Sequence, residues 1–271
     1  MLLNEDSPLL RGVPDCLWAR DKYDFGRMKG AEPLVVTAKD TRHPSRAQYP
    51  LSKEDIAGIT QVHASLLEHG GLVLCPESPC NTPILPVRKA SGEWRFVQDL
   101  RPVNDAVFAH APVVPNPTTL LSAVPAAANW CSVIDLANVF FSIPVEPESQ
   151  FWFAFTFLGK SYTESPAISS AALAQHLKGF ITPEGSTLIK YFDDLLLCSE
   201  TLEAGETDTQ ALLTFLAENC QKVSKNKLQL VSQTVKYLGV ISPPMAGSWV
   251  QRECKLSCLS HSLLPDTTLC H

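Results

Sequence analysis

The sequence has no apolar run that approaches the roughly 18 residues needed to span a membrane. Its start, "MLLNEDSPLLRG", becomes acidic before the apolar core of a signal peptide develops. Charged residues are scarce at 18% while hydrophobic residues make up 45%, a balance that excludes the disordered class. We therefore expect an intracellular globular protein without membrane contact, folded as one large or two smaller domains.

A disulfide framework is also lacking. The nine cysteines are an odd number and are scattered singly along 271 residues, so we expect reduced thiols. The closest grouping of Cys and His lies in the tail, at Cys254, Cys258, His261, Cys270 and His271. Its spacing fits neither a zinc finger nor a zinc knuckle, and structural zinc is not favoured there.

Net positive charge is absent, and the balance of −6 argues against a large nucleic-acid-binding surface. The charges are nevertheless segregated. Residues 193–208 contain six acids and no base, 222–236 contain four lysines and no acid, and Arg88, Lys89, Arg95 and Arg101 lie close together. This pattern leaves room for a local phosphate-binding surface, although ordinary solvated faces explain it equally well.

The stretch "IKYFDDLLLCSE" at 189–200 places Asp193 and Asp194 within the most apolar part of the chain. Burying unpaired carboxylates is unfavourable, so the pair requires a reason. Strand-like residues on both sides favour a tight hairpin with the aspartates at its turn. A second interpretation is a metal site, because paired carboxylates are the hard oxygen ligands that Mg²⁺ prefers.

Periodicity and turn signals predict a mixed order of helices and strands. In chain order these are a helix from Ser52 to Gly70, a basic hairpin of "ILPV" and "WRFVQDL", a strand ending at Asp135, a strand over 151–157, a helix from Ser165 to Gly179, a hairpin over 187–198, a helix opened by a capping box at Thr207 and Gln210, and the strand "TVKYLGVI". Residues 1–47 and 242–271 are predicted to be an irregular leader and tail.

Nine motifs occur in one order between residues 48 and 241: "QYPLS", "NTPILPVRK", "WRFVQDLRPVN", "VPNPTTLLS", "VIDLANVFFSIPV", "FWFAFTF", "ESPAI", "YFDDLLL" and "VKYLG". In this order they resemble a reverse transcriptase of the retroviral and endogenous-retroviral, gammaretrovirus-like type, part of a pol polyprotein. The resemblance implies an α+β fold, the fingers and palm of a right-hand polymerase, with an antiparallel palm sheet packed on helices. Because the pattern stops near Ile241, we expect the chain to end before the thumb.

The resemblance implies an RNA-directed DNA polymerase that uses two Mg²⁺ ions, with Mn²⁺ as a possible substitute. It assigns catalysis and metal binding to Asp135, Asp193 and Asp194. The implied partners are an RNA or DNA template with its primer, and deoxynucleoside triphosphates. Another two-metal phosphotransferase or nuclease is a more distant alternative, since no basic His pair accompanies the aspartates.

The resemblance also implies roles in substrate binding. Lys89 and Arg95 match residues that hold the triphosphate, and Gln98 belongs to the same nucleotide-positioning segment. Phe140 matches a bulky side chain that excludes ribonucleotides, although core packing is a competing interpretation. The template and primer residues implied are Arg101, Tyr237, Leu238 and Gly239. Lys225 and Lys227 are either close to the triphosphate or ordinary surface lysines.

One departure from the family pattern is large. Between Thr163 and Glu164 the family carries an element of the form Thr-Arg-Leu-Pro-Gln-Gly-Phe, which supports the template base and the nucleotide, and this sequence lacks it. We expect the strand before Glu164 to end early, or the following helix to lose its first turn. Either change predicts a poor polymerase, and an inactive endogenous-retroviral remnant is the alternative to an active enzyme.

Overall fold

A computed structural model describes residues 7–21, 23–27, 29, 33–90, 92–108, 116–137, 145–164, 177–241 and 250–251. The chain forms two compact units that alternate along the sequence. One, here called the carboxylate unit, contains Met1–Ala31, Val113–Ile143 and Ile168–Ser257; the other, the hairpin unit, contains Glu32–Pro112, Pro144–Ala167 and Cys258–His271.

The described α-helices are α1 (Lys53–Glu68), α2 (Arg101–Ala106), α3 (Pro117–Leu121) and α4 (Leu202–Glu218). The described strands are β1 (Leu72–Leu74), β2 (Ile84–Arg88), β3 (Trp94–Gln98), β4 (Trp130–Asp135), β5 (Phe155–Phe157), β6 (Lys160–Glu164), β7 (Thr187–Tyr191), β8 (Asp194–Ser199), β9 (Gln229–Ser232), β10 (Lys236–Tyr237), β11 (Val240–Ile241) and β12 (Val250–Gln251). No helix among the described residues is both long enough and apolar enough to cross a membrane.

The carboxylate unit is built on a four-stranded antiparallel sheet in the order β7-β8-β4-β9. Side chains alternate between the two faces of a strand, and both faces of the central strands are buried. One face packs Ile134 and Leu195 against Leu212 and Leu216 of α4. The other face carries a second apolar cluster that includes Tyr237, so the sheet is a rigid layer between two hydrophobic cores.

The hairpin unit contains the antiparallel pair β2-β3 and a three-stranded sheet in the order β1-β6-β5. Helix α1 begins at the capping box that the sequence predicts, since Ser52 and Asp55 each accept a backbone hydrogen bond from the other. A Cβ atom at Gly58 of α1 would overlap the indole of Trp94 in β3. The absence of a side chain at Gly58 therefore lets the hairpin approach the helix closely.

Several predicted elements are confirmed and others are corrected. The hairpins at β2-β3 and β7-β8 and the strand ending at Asp135 are present. Residues Pro147–Phe153 form a 3-10 helix, so only Phe155–Phe157 of the predicted strand is extended. Helix α4 begins earlier than predicted, because the hydroxyl of Thr201 caps it by accepting from Ala204 N. The predicted helix from Ser165 lies largely outside the described residues.

The strand before the missing element does not end early. β6 runs through Thr163 and Glu164, which pair with Val73 and Leu72 of β1. The first of the two expected consequences of the deletion is therefore wrong, because pairing with β1 keeps the strand extended up to its last described residue. The described part of the leader contains two short 3-10 helices, Pro8–Leu10 and Asp15–Leu17, and Leu17 is fully buried in the core beneath α4.

Candidate active site

Strand register brings the aspartates to one end of the four-stranded sheet. Asp135 is the last residue of β4 and lies directly opposite Asp194, the first residue of β8. Asp193 occupies the turn between β7 and β8, and its carbonyl accepts from Leu136 N at 2.9 Å. The backbones of all three residues are thus fixed by sheet hydrogen bonds, as a constellation that must hold its geometry requires.

The turn that presents Asp193 is conformationally unusual. Phe192 has a φ of 51°, which is unfavourable for a bulky side chain and persists only where the surrounding structure imposes it. β7 and β8 impose it here, since Tyr191 and Asp194 are paired on either side of the turn. Below the turn, the hydroxyl of Tyr237 donates to the main-chain oxygen of Asp194 at 3.3 Å.

The electrostatics of this end of the sheet are unfavourable for ionised acids. Burial, together with the nearby carboxylates of Asp193 and Asp135, raises the pKa of Asp194 to about 7, although Lys227 opposes this shift. Burial and Asp135 also raise the pKa of Asp193. A site that disfavours its own negative charges stabilises a positive charge brought close to them.

Lys227 places a positive charge against the carboxylate of Asp135. Its Nζ lies 3.0 Å from Oδ1 and 2.9 Å from Oδ2 of Asp135. The side chain of Asp135 is 14% exposed whereas that of Lys227 is 67% exposed. The lysine therefore reaches from the surface to cover a largely buried carboxylate, a contact that sequence spacing does not indicate.

The segment before Lys227 is held between two others by backbone pairing. Val223 bridges in parallel to Trp18 of the leader and in antiparallel fashion to Leu136. On one side Val223 N donates to Leu17 O at 2.8 Å; on the other Ser224 N donates to Asp135 O at 2.9 Å. The leader thus supports the lysine segment from the side away from the aspartates.

The donor set suits a hard divalent cation such as Mg²⁺ or Mn²⁺, because three carboxylates share one end of the sheet. In the described part of the chain no three His, Cys, Asp or Glu side chains converge into a ready metal-binding group. The side chains thus lack the convergence of a finished metal centre, although their backbones are adjacent. The Cys and His residues of the tail lie outside the described residues.

The basic residues assigned to the triphosphate belong to the hairpin unit. Arg95 lies in β3 opposite Val87 of β2, and Lys89 follows the end of β2. The Nζ of Lys89 is 3.6 Å from Glu93 Oε2, and both side chains are largely exposed. Exposed pairs of this kind hold their partners weakly, so Lys89 is available to an anionic ligand.

Two other residues of the hairpin unit have internal partners. Gln98 is buried, and its amide donates to Thr82 Oγ1 at 2.7 Å and to Phe153 O at 2.9 Å. Arg101 forms a two-pronged pair with the buried carboxylate of Asp99, at 2.8 Å for each bond. The placement of Gln98 favours a supporting role for its side chain over direct contact with a nucleotide.

The remaining assigned residues divide between core and turn. Tyr237 is almost fully buried at 1% exposure, so its ring packs inside the protein rather than on an open surface. Leu238 and Gly239 form the turn between β10 and β11, both at positive φ, 49° and 77°. The predicted single strand "TVKYLGVI" is therefore two short strands. Phe140 lies outside the described residues.

Residues 87–242 match the reverse transcriptase (RNA-dependent DNA polymerase) family. The chain is 42% identical over 253 residues to the Gag-Pol polyprotein of Walleye dermal sarcoma virus, covering 89% of the chain and 14% of the polyprotein. It is 39% identical over 242 residues to the Pol polyprotein of Feline endogenous virus ECE1, covering 83% and 23%. The chain thus spans less than a quarter of these two relatives.

The fold is also similar to solved structures of the foamy viral protease-reverse transcriptase. The form in complex with double-stranded DNA superposes with a TM-score of 0.77 at 28% identity, covering 87% of this chain and 42% of that one. The form in complex with an RNA/DNA hybrid gives the same TM-score and covers 32% of that chain. Sheet, helices and these likenesses define the class: an α+β right-hand polymerase fold with fingers and palm. Within that class, the chain belongs to the reverse transcriptase family, of the retroviral and endogenous-retroviral pol type.

Proposed function

We propose that the chain carries the nucleotidyl-transfer site of an RNA-directed DNA polymerase and extends a primer 3′-hydroxyl on an RNA or DNA template. The observation that carries the proposal is the register of β4 with β8, which sets Asp135 opposite Asp194 and beside the turn of Asp193. The family match supports the reaction class. The relatives solved with double-stranded DNA and with an RNA/DNA hybrid support the class of partner.

Asp135 and Asp193, with Asp194 beside them, are the residues that would hold two divalent ions, Mg²⁺ or Mn²⁺. Such ions, when bound, activate the attacking hydroxyl and stabilise the leaving group. The protein contributes rigid backbone at all three positions, and Tyr237 supports the hairpin from below through its hydrogen bond to Asp194. The raised pKa values of Asp193 and Asp194 support this assignment, because a bound cation would offset the repulsion between the carboxylates.

In the same proposal, Lys89 and Arg95 neutralise the triphosphate of an incoming deoxynucleotide, through a point charge and a planar fork respectively. Phe140 selects against the 2′-hydroxyl of a ribonucleotide. Arg101, Leu238 and Gly239 contact template and primer. The side chain of Gln98 supports this segment from the interior.

We further infer that polymerisation by this chain is impaired. β6 remains paired to β1 through Glu164, so the family element missing at this point has no local substitute in the strand itself. A misplacement of about 1 Å at a reacting centre costs on the order of a hundredfold in rate. An inactive endogenous-retroviral remnant that binds nucleic acid weakly or not at all is therefore the second candidate function.

The test is primer extension on an RNA template by the purified 271-residue chain, with Asp135→Asn as the matched control. We expect weak, metal-dependent extension that Asp135→Asn abolishes. We expect recovery when a Trp-Thr-Arg-Leu-Pro-Gln-Gly-Phe-type segment is inserted before Glu164 and a thumb is supplied. Robust extension by the unmodified chain would contradict the impairment. Absence of extension even after the insertion, with weak or no binding of an RNA/DNA hybrid, would favour the inactive remnant.

A further inference from the structure

We propose that Lys227 is a built-in counter-cation of Asp135 that competes with divalent metal for this carboxylate. The inference rests on the proposed function, because it assigns metal binding to the same aspartate. It goes further by giving the chain its own device for neutralising the site in the absence of metal and substrate. The device is a single side chain that must move before the carboxylate becomes available.

The contact is two-sided. Lys227 Nζ lies within hydrogen-bond distance of both carboxylate oxygens of Asp135, at 3.0 and 2.9 Å. A metal ion binds a carboxylate through the same oxygen lone pairs. The ammonium and the ion are therefore alternatives at Asp135, since each is a cation that requires the same oxygens.

Lys227 is brought to this position by the backbone and not by chance rotation of a long side chain. It ends the 3-10 helix Lys225–Lys227, and its own N–H donates to Ser224 O at 3.0 Å. Ser224 in turn donates its N–H to Asp135 O at 2.9 Å. The main chain of the lysine segment is thus hydrogen-bonded to the residue whose carboxylate Lys227 covers.

The other lysines of the segment have different partners. Lys225 Nζ lies 5.7 Å from the ring centroid of Trp18, in a cation–π arrangement. Lys222 Nζ donates to Cys16 O at 2.8 Å and lies 3.6 Å from Asp24 Oδ2. Of these three lysines, Lys227 is therefore the one that contacts Asp135, and Lys225 provides a charge-matched comparison two residues away.

The exposure of the two partners makes the exchange possible. Lys227 is 67% exposed and extends through solvent on a flexible stem, so it can leave without disturbing the core. Asp135 is largely buried beside Asp193 and Asp194, and loss of the lysine leaves its charge uncompensated. Metal binding must therefore displace the ammonium, and the displacement lowers the apparent affinity for metal.

The experiment measures Mn²⁺ binding to the full chain, without nucleic acid, by electron paramagnetic resonance of free Mn²⁺. The proteins are the unmodified chain, Lys227→Met, Lys225→Met and Lys227→Arg. Because Lys227 is mostly exposed, we expect the pair to correspond to a change of about two- to fivefold in affinity, in the range of surface ion pairs. We expect Lys227→Met to bind Mn²⁺ more tightly by this factor, while Lys225→Met and Lys227→Arg bind like the unmodified chain.

Equal tightening by Lys225→Met and Lys227→Met would overturn the proposal, because general charge removal would then explain the effect. Unchanged affinity in Lys227→Met would also overturn it, yet would leave the proposed function intact if Asp135→Asn still abolishes binding. If neither the unmodified chain nor Lys227→Met binds Mn²⁺, the metal assignment itself fails, and the proposed function fails with it.

A second measurement remains informative if a variant folds poorly. Limited acetylation of the unmodified chain, analysed by mass spectrometry, reports how free each amine is. We expect Mg²⁺ to increase the acetylation rate of Lys227 and to leave that of Lys225 unchanged. An unchanged or reduced rate at Lys227, in protein that binds the metal, contradicts displacement.

Discussion

The two units use charge in opposite ways. In the carboxylate unit, Asp135, Asp193 and Asp194 share one end of the sheet, and Lys227 contacts Asp135 there. In the hairpin unit, basic residues have acidic partners close by, as in the pair of Arg88 with Glu54 at 3.2 Å. Burial, together with the neighbouring carboxylates, raises the pKa of Asp193 and Asp194, whereas the Arg88–Glu54 pair is exposed and weak.

The two units also differ in the interactions that fix their structure. The hairpin unit holds β3 to α1 by packing, with Trp94 against Gly58 and the guanidinium of Arg88 5.9 Å from the Trp94 ring centroid. The carboxylate unit holds its acids by backbone pairing against their electrostatic preference. Strained, charge-unbalanced positions are typical of functional sites, so the contrast itself directs attention to the aspartates.

The largest effect that tests the comparison is the pH dependence of stability. The pKa of Asp194 is raised to about 7 in the folded chain, against about 4 in an unfolded one. Between these values the folded chain retains a proton that the unfolded chain releases. The stabilisation is therefore present below about pH 4 and lost as the pH rises through about 7. Metal-free Asp194→Asn should lack this slope and be more stable above pH 7 by on the order of 2 kcal/mol.

The measurement is urea unfolding from pH 4 to 8 in the presence of a chelator. Asp208 is the matched control, because its fully buried carboxylate is satisfied by Glu184 N at 2.8 Å and Ser186 N at 2.9 Å. Asp208→Asn should destabilise, since its amide would point a donor at a backbone donor. If the free energy of unfolding of Asp194→Asn and of the unmodified chain changes with pH in the same way, the raised pKa of Asp194 does not affect stability. The electrostatic difference between the two units would then be contradicted.

The next effect concerns packing in the hairpin unit. Gly58→Ala should destabilise by about 2 kcal/mol, because its Cβ would overlap the Trp94 indole and force β3 away from α1. In a Trp94→Ala background the same change should become neutral or stabilising, since Ala favours a helix over Gly by about 1 kcal/mol. Thermal unfolding of the four proteins measures this coupling, and additive effects would show that the two residues do not interact.

Much of this arrangement is predictable from sequence. Strand-like residues on both sides of Asp193 and Asp194 predict the hairpin, the Ser52 capping box predicts the start of α1, and the motif order predicts the family. The contact of Lys227 with Asp135 is not predictable from spacing, because it joins residues 92 positions apart. The packing of Trp94 on Gly58 also escapes prediction, since a helical glycine has the same local signature whether or not a ring covers it.

Tertiary packing also explains where the structure differs from the sequence prediction. "FWFAFTF" has strand composition throughout, yet its first residues belong to the 3-10 helix Pro147–Phe153, with Trp152 and Phe153 buried. A buried helical turn and a strand can both be rich in aromatic residues. Composition alone therefore does not distinguish the two. The motif assigns Gln98 to nucleotide positioning, whereas a hydrogen bond with Thr82 turns its side chain inward.

A smaller effect tests the support beneath the aspartates. Burial raises the pKa of Tyr237, so its hydroxyl stays protonated and donates to Asp194 O at 3.3 Å. Tyr237→Phe keeps the ring and removes this long hydrogen bond, with an expected cost of about 0.5 to 1 kcal/mol in urea unfolding. If extension activity falls more than the loss of stability explains, Tyr237 positions the hairpin. If neither activity nor stability changes, the hydrogen bond to Asp194 does not stabilise the site.

The smallest expected effect on stability belongs to Lys89. Its ammonium lies 3.6 Å from Glu93, and both side chains are largely exposed, so Lys89→Ala should change the free energy of unfolding by less than about 0.5 kcal/mol. The same change should weaken deoxynucleotide use in primer extension, because the proposed role of Lys89 is to neutralise triphosphate oxygens. Glu93→Ala removes the same pair and keeps the cation, which makes it the matched control. Loss of extension in both variants would assign Lys89 to the hairpin's own structure, whereas loss in Lys89→Ala alone places its charge on the substrate.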